Sequence, residues 1–286
     1  MTLTGAGKIA GVIGWPISQS LSPVLHGYWL RELNMDGALV PVAARPEDFS
    51  AVLTGLRKAG VRGVSVTVPH KQAAFALAEI SDPAALAAGA VNLLIFHEDG
   101  RIEGRNTDAV GLRESLAAGI DGEIAGKSAV LLGAGGAARG AVLALEGVGA
   151  ARIHILNRHE DRAQALAAQL QPMVKSQLIA GALTDWAAVA GGASLLVNAT
   201  SAGMAGRAPL ELDLTPLPVG AAVCDIVYNP LETPLLAQAR VRGHRCIDGL
   251  GMLMHQAVPA FEAFFGVRPK VSPGLHAALA QVLSRG

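Results

Sequence analysis

The sequence has no excess of charge of either sign. Basic and acidic residues both number 23, so the formal net charge at pH 7 is +0. Proteins that bind nucleic acids or anionic membranes usually carry a basic surface. The balance therefore predicts neither kind of partner, although a local basic cluster could still bind a phosphate group.

Long apolar runs are also missing. Asn92, Arg139 and Glu146 interrupt the longest ones, which stay below the roughly 18 residues that a membrane-spanning helix needs. Residues 1–14 lack an apolar core followed by a cleavage site, so they predict no secretory signal. A cytoplasmic protein is expected.

Cysteine and metal-ligand patterns are scarce as well. The two cysteines, Cys224 and Cys246, lie in strand-like segments without metal-ligand spacing, which indicates buried thiols in a reducing compartment. The histidines are scattered and form no cluster, so no metal is predicted. They include His70, His97, His154, His159, His244 and His255.

What the chain does contain is apolar residues spread over a long sequence. They make up 51% of the 286 residues, against 16% charged residues, which excludes a disordered chain. This length exceeds what one hydrophobic core comfortably supports, so two domains are expected. Strand-like segments alternate with helical patterns, which favours parallel βαβ units and an α/β fold class.

Local signals place several elements. Ser22 before Pro23 predicts a capped helix start. Asp99 and Gly100 predict the turn of a β-hairpin. A further helix is expected to begin at Asp108.

The most distinctive local pattern is a glycine-rich turn. The apolar run 129–132 predicts a strand, GAGGAA follows at 133–138, and a helical pattern comes next. Such a turn lets the backbone and the helix amino terminus bind a pyrophosphate. The next strand ends in Asn157 and Arg158, where NAD-binding proteins usually place a carboxylate for the ribose. A basic residue there predicts NADP; the alternative is an ordinary turn with surface arginines.

Eight short motifs occur in order along nearly the full length of the chain. They are GWPISQSLSP at 14–23, SVTVPHK at 65–71, GAVN at 89–92, GRNTD at 104–108, the glycine turn, NATSAGM at 198–204, DIVYNP at 225–230 and DGLGMLMHQ at 248–256. Together they resemble the shikimate dehydrogenase family, NADP-dependent oxidoreductases of aromatic amino-acid biosynthesis.

The resemblance implies a two-domain α/β architecture. Residues 1–107 plus 249–286 are expected to form the substrate-binding and catalytic domain, and 108–248 a Rossmann-like NADP-binding domain. A cleft between them would hold the small-molecule substrate and NADPH. The implied reaction is the reversible reduction of 3-dehydroshikimate to shikimate.

The resemblance also implies the catalytic pair. Lys71 would be the acid/base and Asp108 its partner, which also contacts a substrate hydroxyl. An ammonium can stabilise the charge that forms on a ketone oxygen or protonate it, and a carboxylate favours its charged form. The alternatives are a surface lysine and a helix-capping aspartate.

Neutral side chains are assigned to the substrate by the same resemblance. Ser20 and Ser22 would bind its carboxylate, with helix capping as the alternative. Thr67, Asn92 and Gln256 would bind substrate hydroxyls, and Tyr228 would lie near the carboxylate. The alternatives are turn residues for Thr67 and Asn92, a solvated helix face for Gln256, and a core tyrosine for Tyr228.

The cofactor residues form a third set. Arg158 and Arg162, four apart, could share a helix face toward a 2′-phosphate. The full set is Gly133, Ala134, Gly135, Gly136, Ala137, Asn157, Arg158, Arg162, Thr200, Ser201, Met204, Val227 and Gly249. For the last three, which match positions around the nicotinamide, ordinary packing is the alternative.

The chain departs from the family pattern at three positions, of which the first two, beside the serine pair, bear on substrate preference and the third on packing near Asn92. Trp15 stands where asparagine is frequent, Gln19 where histidine is frequent, and Leu93 where threonine is frequent. The rival functions are a quinate/shikimate dehydrogenase of broader specificity, against which Arg158 argues, and a non-catalytic metabolite sensor, against which the Lys71 and Asp108 pair argues. A homodimer is left open.

Overall fold

The computed structural model describes residues 3–120 and 124–285. The chain divides into two compact units, Met1–Thr107 with Gln256–Leu279 and Asp108–His255 with Ala280–Gly286. The domain bounds predicted from the sequence place the first boundary at the same position, after Thr107. The chain returns to the first unit at Gln256, whereas the predicted return is at Gly249. Those bounds stay a prediction.

The first unit is built on a mixed six-stranded sheet in the order β2-β1-β3-β5-β6-β4. Strands β1, β2 and β3 are parallel, and β5 runs antiparallel to both β3 and β6. The strands are β1 (Lys8–Gly14), β2 (Gly37–Ala43), β3 (Gly63–Val66), β4 (Ile80–Ser81), β5 (Leu93–Phe96) and β6 (Ile102–Arg105). The helices between them are α1 (Ser22–Glu32), α2 (Phe49–Lys58), α3 (Lys71–Leu77) and α4 (Pro83–Ala88).

The second unit is built on a wholly parallel sheet in the order β12-β11-β10-β7-β8-β9. This is the arrangement of a doubly wound dinucleotide-binding fold, with its switch point between β7 and β10. The strands are β7 (Ser128–Leu132), β8 (Arg152–Asn157), β9 (Gln177–Ala182), β10 (Ala193–Asn198), β11 (Ala222–Asp225) and β12 (Arg245–Ile247). The helices are α5 (Asp108–Ile120), α6 (Gly136–Gly147), α7 (Glu160–Leu170), α8 (Trp186–Ala190) and α9 (Pro234–Val241).

Both faces of this second sheet are buried. Successive residues of a strand point to opposite faces, and Ala129 and Leu131 belong to one apolar cluster while Val130 and Leu132 belong to another. All four are 0% exposed. Continuous apolar strands are typical of a parallel sheet covered by helices on both sides.

Two last helices, α10 (Gly249–Phe265) and α11 (Pro273–Leu283), follow the second sheet. Across the described parts of the chain, 3–120 and 124–285, no helix is both long and apolar enough to cross a membrane. The α/β fold class and the hairpin of β5 and β6 are confirmed.

Some local predictions were wrong. Ser22 does not cap α1: the cap position is Leu21, without a side-chain hydrogen bond, and Ser22 is the first helical residue. The side chain of Ser20 instead accepts the backbone N–H of Ser22, at 3.3 Å. The short elements β4 and α4 carry too little periodicity to be predicted.

Candidate active site

In the first unit, the polar motifs meet at one edge of the mixed sheet. Trp15 and Thr67 follow the parallel strands β1 and β3, and the backbone N–H of Thr67 donates to Ile13 O at 3.0 Å. Because β5 is antiparallel to β3, its first residues lie at the same edge, and Asn92 accepts the N–H of Val66 at 2.8 Å. Strand order and direction therefore bring three separate motifs together.

Gly14 lets two of these loops approach each other closely. A Cβ atom at Gly14 would lie 2.5 Å from Thr67 Cγ2, a distance that side chains do not tolerate. The N–H of Trp15 donates to Val68 O at 3.0 Å. The loop that carries Ser20 and the loop that precedes Lys71 are thus held side by side.

Ser20 and Ser22 lie at the amino end of α1, an 11-residue helix. Ser22 is buried and Ser20 is half-buried. Ser20 Oγ accepts one backbone hydrogen bond, which leaves its hydroxyl proton available for a ligand. A helix amino terminus adds N–H donors and a favourable dipole for an anion.

Lys71 begins α3 directly after an anchored histidine. His70 is 2% exposed, its Nε2 lies 2.9 Å from Ala44 O, and its ring stacks on Phe49 at 4.4 Å between centroids. The carbonyl of Lys71 accepts the N–H of Val91 at 2.9 Å. The backbone at Lys71 is therefore fixed from both sides, while its side chain is only half-buried.

Asn92 and Gln256 are linked through Thr107, which was not among the predicted site residues. Asn92 Nδ2 donates to Thr107 Oγ1 at 3.0 Å, and the N–H of Thr107 donates to Asn92 Oδ1 at 2.8 Å. Thr107 Oγ1 donates to the carbonyl oxygen of Gln256 at 2.8 Å. Thr107 thus orients the side chain of Asn92 and holds the backbone at Gln256; its place in the GRNTD motif was the available signal.

In the second unit, the glycine turn joins β7 to the 12-residue helix α6. Gly133 has a φ of +107° and packs where a Cβ would lie 3.1 Å from Thr200 Cγ2. A Cβ at Gly135 or Gly136 would meet nothing within 4 Å. Ala134 and Ala137 beside them are half-buried. The amino terminus of α6 is therefore open to a phosphate group.

Basic side chains follow β8 as predicted, but not on one helix face. Helix α7 begins at Glu160, and His159 at its cap position is extended, so Arg158 lies outside the helix and Arg162 inside it. Both are exposed, and within 3–120 and 124–285 neither forms an ion pair. Asn157 Nδ2 donates to His159 O at 2.8 Å.

A buried network holds the loops after β10 and β11, and its centre is another missed residue. Asp225 is 0% exposed and accepts hydrogen bonds from Asn198 Nδ2, the Val227 N–H and Thr233 Oγ1 at 3.0, 3.0 and 2.7 Å. Thr200 Oγ1 donates to Asn198 Oδ1 at 2.7 Å. Burial raises the pKa of Asp225, and the hydrogen bonds act against that shift. The DIVYNP and NATSAGM motifs signalled these positions.

The remaining predicted cofactor and substrate residues lie around this network. Ser201 is exposed and Met204 is half-buried. Tyr228 is half-buried, and burial raises the pKa of its phenol, which stays a hydrogen-bond donor. Gly249 is buried at the start of α10.

Asp108 is half-buried at the amino end of the 13-residue helix α5, where α5 packs closely on α6: a Cβ at Gly140 would lie 3.4 Å from that of Asp108. Lys71 belongs to the other unit. Ser20, Thr67 and Asn92 thus lie at the edge of the first sheet, whereas Asp108 and Tyr228 belong to the second unit. The pairing of Lys71 with Asp108 stays a prediction.

The chain matches two described protein families. Residues 12–94 match the shikimate dehydrogenase substrate binding domain, and residues 115–205 match shikimate / quinate 5-dehydrogenase. The first covers the loops with Ser20, Thr67 and Asn92, and the second covers the glycine turn.

Full-length relatives carry the same name. The NADP(+) shikimate dehydrogenase of Paramagnetospirillum magneticum is 48% identical over 96% of this chain and 99% of its own, and that of Methylobacterium radiotolerans is 52% identical over 93% and 94%. A crystal structure of a shikimate dehydrogenase in complex with NADP+ has a TM-score of 0.87 and 30% identity, covering 99% and 97% of the two chains. The expectation of an NADP-dependent oxidoreductase is confirmed, and the chain belongs to the shikimate dehydrogenase family.

Proposed function

We propose that the protein catalyses the reversible NADPH-dependent reduction of 3-dehydroshikimate to shikimate. One observation supports the assignment of residues: at the edge where its parallel strands end, each sheet carries polar groups that suit one of the two ligands. Neutral donors and Lys71 lie at the first sheet, and the glycine turn and two exposed arginines lie at the second. Ligands of open α/β sheets bind at such edges.

The chemistry divides between the cofactor and Lys71. NADPH, when bound, supplies a hydride to the ketone carbon. The Lys71 ammonium donates a proton to the ketone oxygen, so that C=O becomes CH–OH, and in the reverse direction the neutral amine takes that proton back. Asp108 is the proposed partner that favours the ammonium form before transfer.

Substrate recognition is assigned to neutral side chains. Ser20 and Ser22 bind the carboxylate, aided by the amino end of α1. Thr67, Asn92 and Gln256 bind ring hydroxyls, and Tyr228 lies near the carboxylate. Neutral donors and acceptors suit a polyhydroxy acid because they fix each hydroxyl without burying an extra charge.

NADP fits the residues present in the second unit. The open backbone at Gly135 and Gly136 accepts the pyrophosphate, with Ala134 and Ala137 alongside. Arg158 and Arg162 bind the 2′-phosphate, and Asn157 contacts the ribose. Thr200, Ser201, Met204, Val227 and Gly249 are proposed around the nicotinamide end.

One steady-state assay tests the proposal. Shikimate and quinate are each titrated against NADP and NAD. We expect the highest kcat/KM with shikimate and NADP. Comparable values for quinate would favour the broader dehydrogenase, and absence of turnover with every pair would favour a metabolite sensor.

A cytoplasmic location and a homodimer are further proposals. Buried Cys224 and half-buried Cys246 are both free thiols, as expected in a reducing compartment. Light scattering of the purified protein tests the dimer, and a monomer mass over the working concentration range would exclude it.

A further inference from the structure

Arg45 is a charged residue at the substrate edge that the assigned function does not use. It follows β2, which is parallel to β1, so it lies at the same edge as Trp15 and the Ser20 loop. The N–H of Ala44 donates to Gly14 O at 3.2 Å. The two strand ends are therefore joined immediately before Trp15 and Arg45.

The backbone of Arg45 is held in one conformation. It is extended, with φ −71° and ψ 157°, as expected for a residue that precedes a proline. The carbonyl of Ala44 lies 2.9 Å from His70 Nε2. The same histidine therefore anchors both the start of α3, with Lys71, and the segment that carries Arg45.

The side chain of Arg45 is held by an aromatic ring. Its guanidinium carbon lies 5.2 Å from the centroid of the Trp15 ring, and Trp15 is 41% exposed. A cation over an aromatic face is attracted by the ring, and a guanidinium placed in this way keeps its N–H donors for a carboxylate or phosphate. In the described ranges 3–120 and 124–285, no ion pair occupies these donors.

The immediate neighbourhood limits how Arg45 can act. Glu47 and Asp48 follow it and are exposed, so the local charge is not positive overall. Long-range attraction of an anion is therefore weak. Only a short-range contact between the guanidinium and an anionic group of the ligand would benefit from the fixed position.

We propose that Arg45, positioned by Trp15, is a specificity-determining residue that favours substrates with a carboxylate over their neutral analogues. This inference rests on the proposed function, because it deepens the assignment of the substrate edge. The serines of the α1 loop supply neutral hydrogen bonds, and Arg45 adds the charge that they lack.

The test compares shikimate with its uncharged methyl ester. In Arg45→Gln, the KM for shikimate should rise by a factor of about two to five, the range for a partly solvated ion pair. The values of kcat, the KM for NADP and the KM for the ester should stay near those of the wild type. Trp15→Asn should shift the shikimate KM in the same direction, and Trp15→Phe should shift it less because a ring remains.

Arg62→Gln is the matched control, since Arg62 is exposed but precedes β3 at the opposite edge of the same sheet. It should change no constant. An unchanged shikimate KM in Arg45→Gln, or an equal rise for the ester, would overturn the proposal.

The two proposals fail in distinguishable ways. Absence of shikimate oxidation by the wild type refutes the proposed function. Calorimetric titration of shikimate into wild type and Arg45→Gln needs no turnover, and it decides the role of Arg45 in either case. Equal Kd values, or no binding to the wild type, would refute that role.

Discussion

The two sheets of this protein bring their polar loops to one edge in different ways. The second sheet is wholly parallel, so the loops after β7, β8, β10 and β11 all lie at one edge by topology alone. The first sheet is mixed, and its edge combines strand ends from β1, β2 and β3 with the start of β5. The polar edge of the second sheet thus follows from strand direction alone, whereas that of the first sheet also depends on particular loop contacts.

The groups that the two sheets offer to their proposed ligands also differ. The glycine turn offers backbone and open space to the proposed cofactor, whereas the first sheet offers side chains such as Ser20 and Thr67 to the proposed substrate. Each unit also has a buried polar group that holds its loops: Asp225 accepts hydrogen bonds from the end of β10 and from the loop after β11, and Thr107 bonds to Asn92 and to the backbone of Gln256. Substitutions at Arg158 and Arg162 should therefore change mainly the kinetic constants of NADP, and substitutions at Ser20 and Ser22 mainly those of shikimate.

The largest expected effect is at Lys71, whose loss should impair the chemical step rather than the binding of NADP. Lys71→Ala removes the proton donor, and kcat should fall by about 10²–10⁴-fold, the usual contribution of a general acid or base. The KM for NADP should change little. Steady-state kinetics measure both; a kcat within a factor of a few of the wild type would show that another group transfers the proton.

The next effect belongs to the second unit. Replacing Arg158 and Arg162 together by glutamine removes charge-assisted hydrogen bonds worth about 1.5–3 kcal/mol each, so the KM for NADP should rise at least about tenfold. The KM for NAD should stay nearly constant, since NAD has no 2′-phosphate. Arg152→Gln, an exposed change at the opposite end of β8, is the control. An unaltered preference for NADP would place the phosphate elsewhere.

The matching change in the first unit is the double substitution of Ser20 and Ser22 by alanine. Loss of two hydroxyl donors to an anion should raise the KM for shikimate by roughly tenfold or more. Because misplacement of the ring reaches the reacting carbon, kcat should also fall. The KM for NADP serves as the internal control. If it rises more than that for shikimate, the serines support the fold rather than the ligand.

The last expected effect concerns stability and leaves the kinetic constants aside. His26 is 1% exposed in the first unit, among Trp29, Phe261, Phe264 and Phe265. Burial lowers its pKa from 6.5 to about 3. The unfolded chain therefore binds a proton between these values that the folded chain does not, so stability is full above pH 6.5 and falls as the pH is lowered.

At pH 5 this loss amounts to about 2 kcal/mol, given 1.36 kcal/mol per pKa unit. His26→Leu removes the titration, so the free energy of unfolding should change less between pH 7 and pH 5 than in the wild type. Urea unfolding at the two pH values measures the difference, with exposed His159→Gln as the control. Identical pH dependence of wild type and His26→Leu would contradict this account.

The sequence alone determined the α/β class, the family and the residues of each motif. Apolar strand segments, the glycine turn and eight ordered motifs are local signals, because each depends on neighbours within a few residues. The basic residues after β8 were found in this way. Their predicted common helix face was wrong, because the start of a helix depends on backbone geometry at His159.

Only the tertiary structure decided which groups support these motifs. Thr107, Asp225 and Arg45 act through partners far away in the chain or on neighbouring strands, and no local pattern encodes such contacts. The reversed direction of β5, which brings Asn92 to the edge of β3, is likewise a property of strand pairing. The type of each side chain determined which interactions it can make, and long-range packing determined which groups lie close enough to make them.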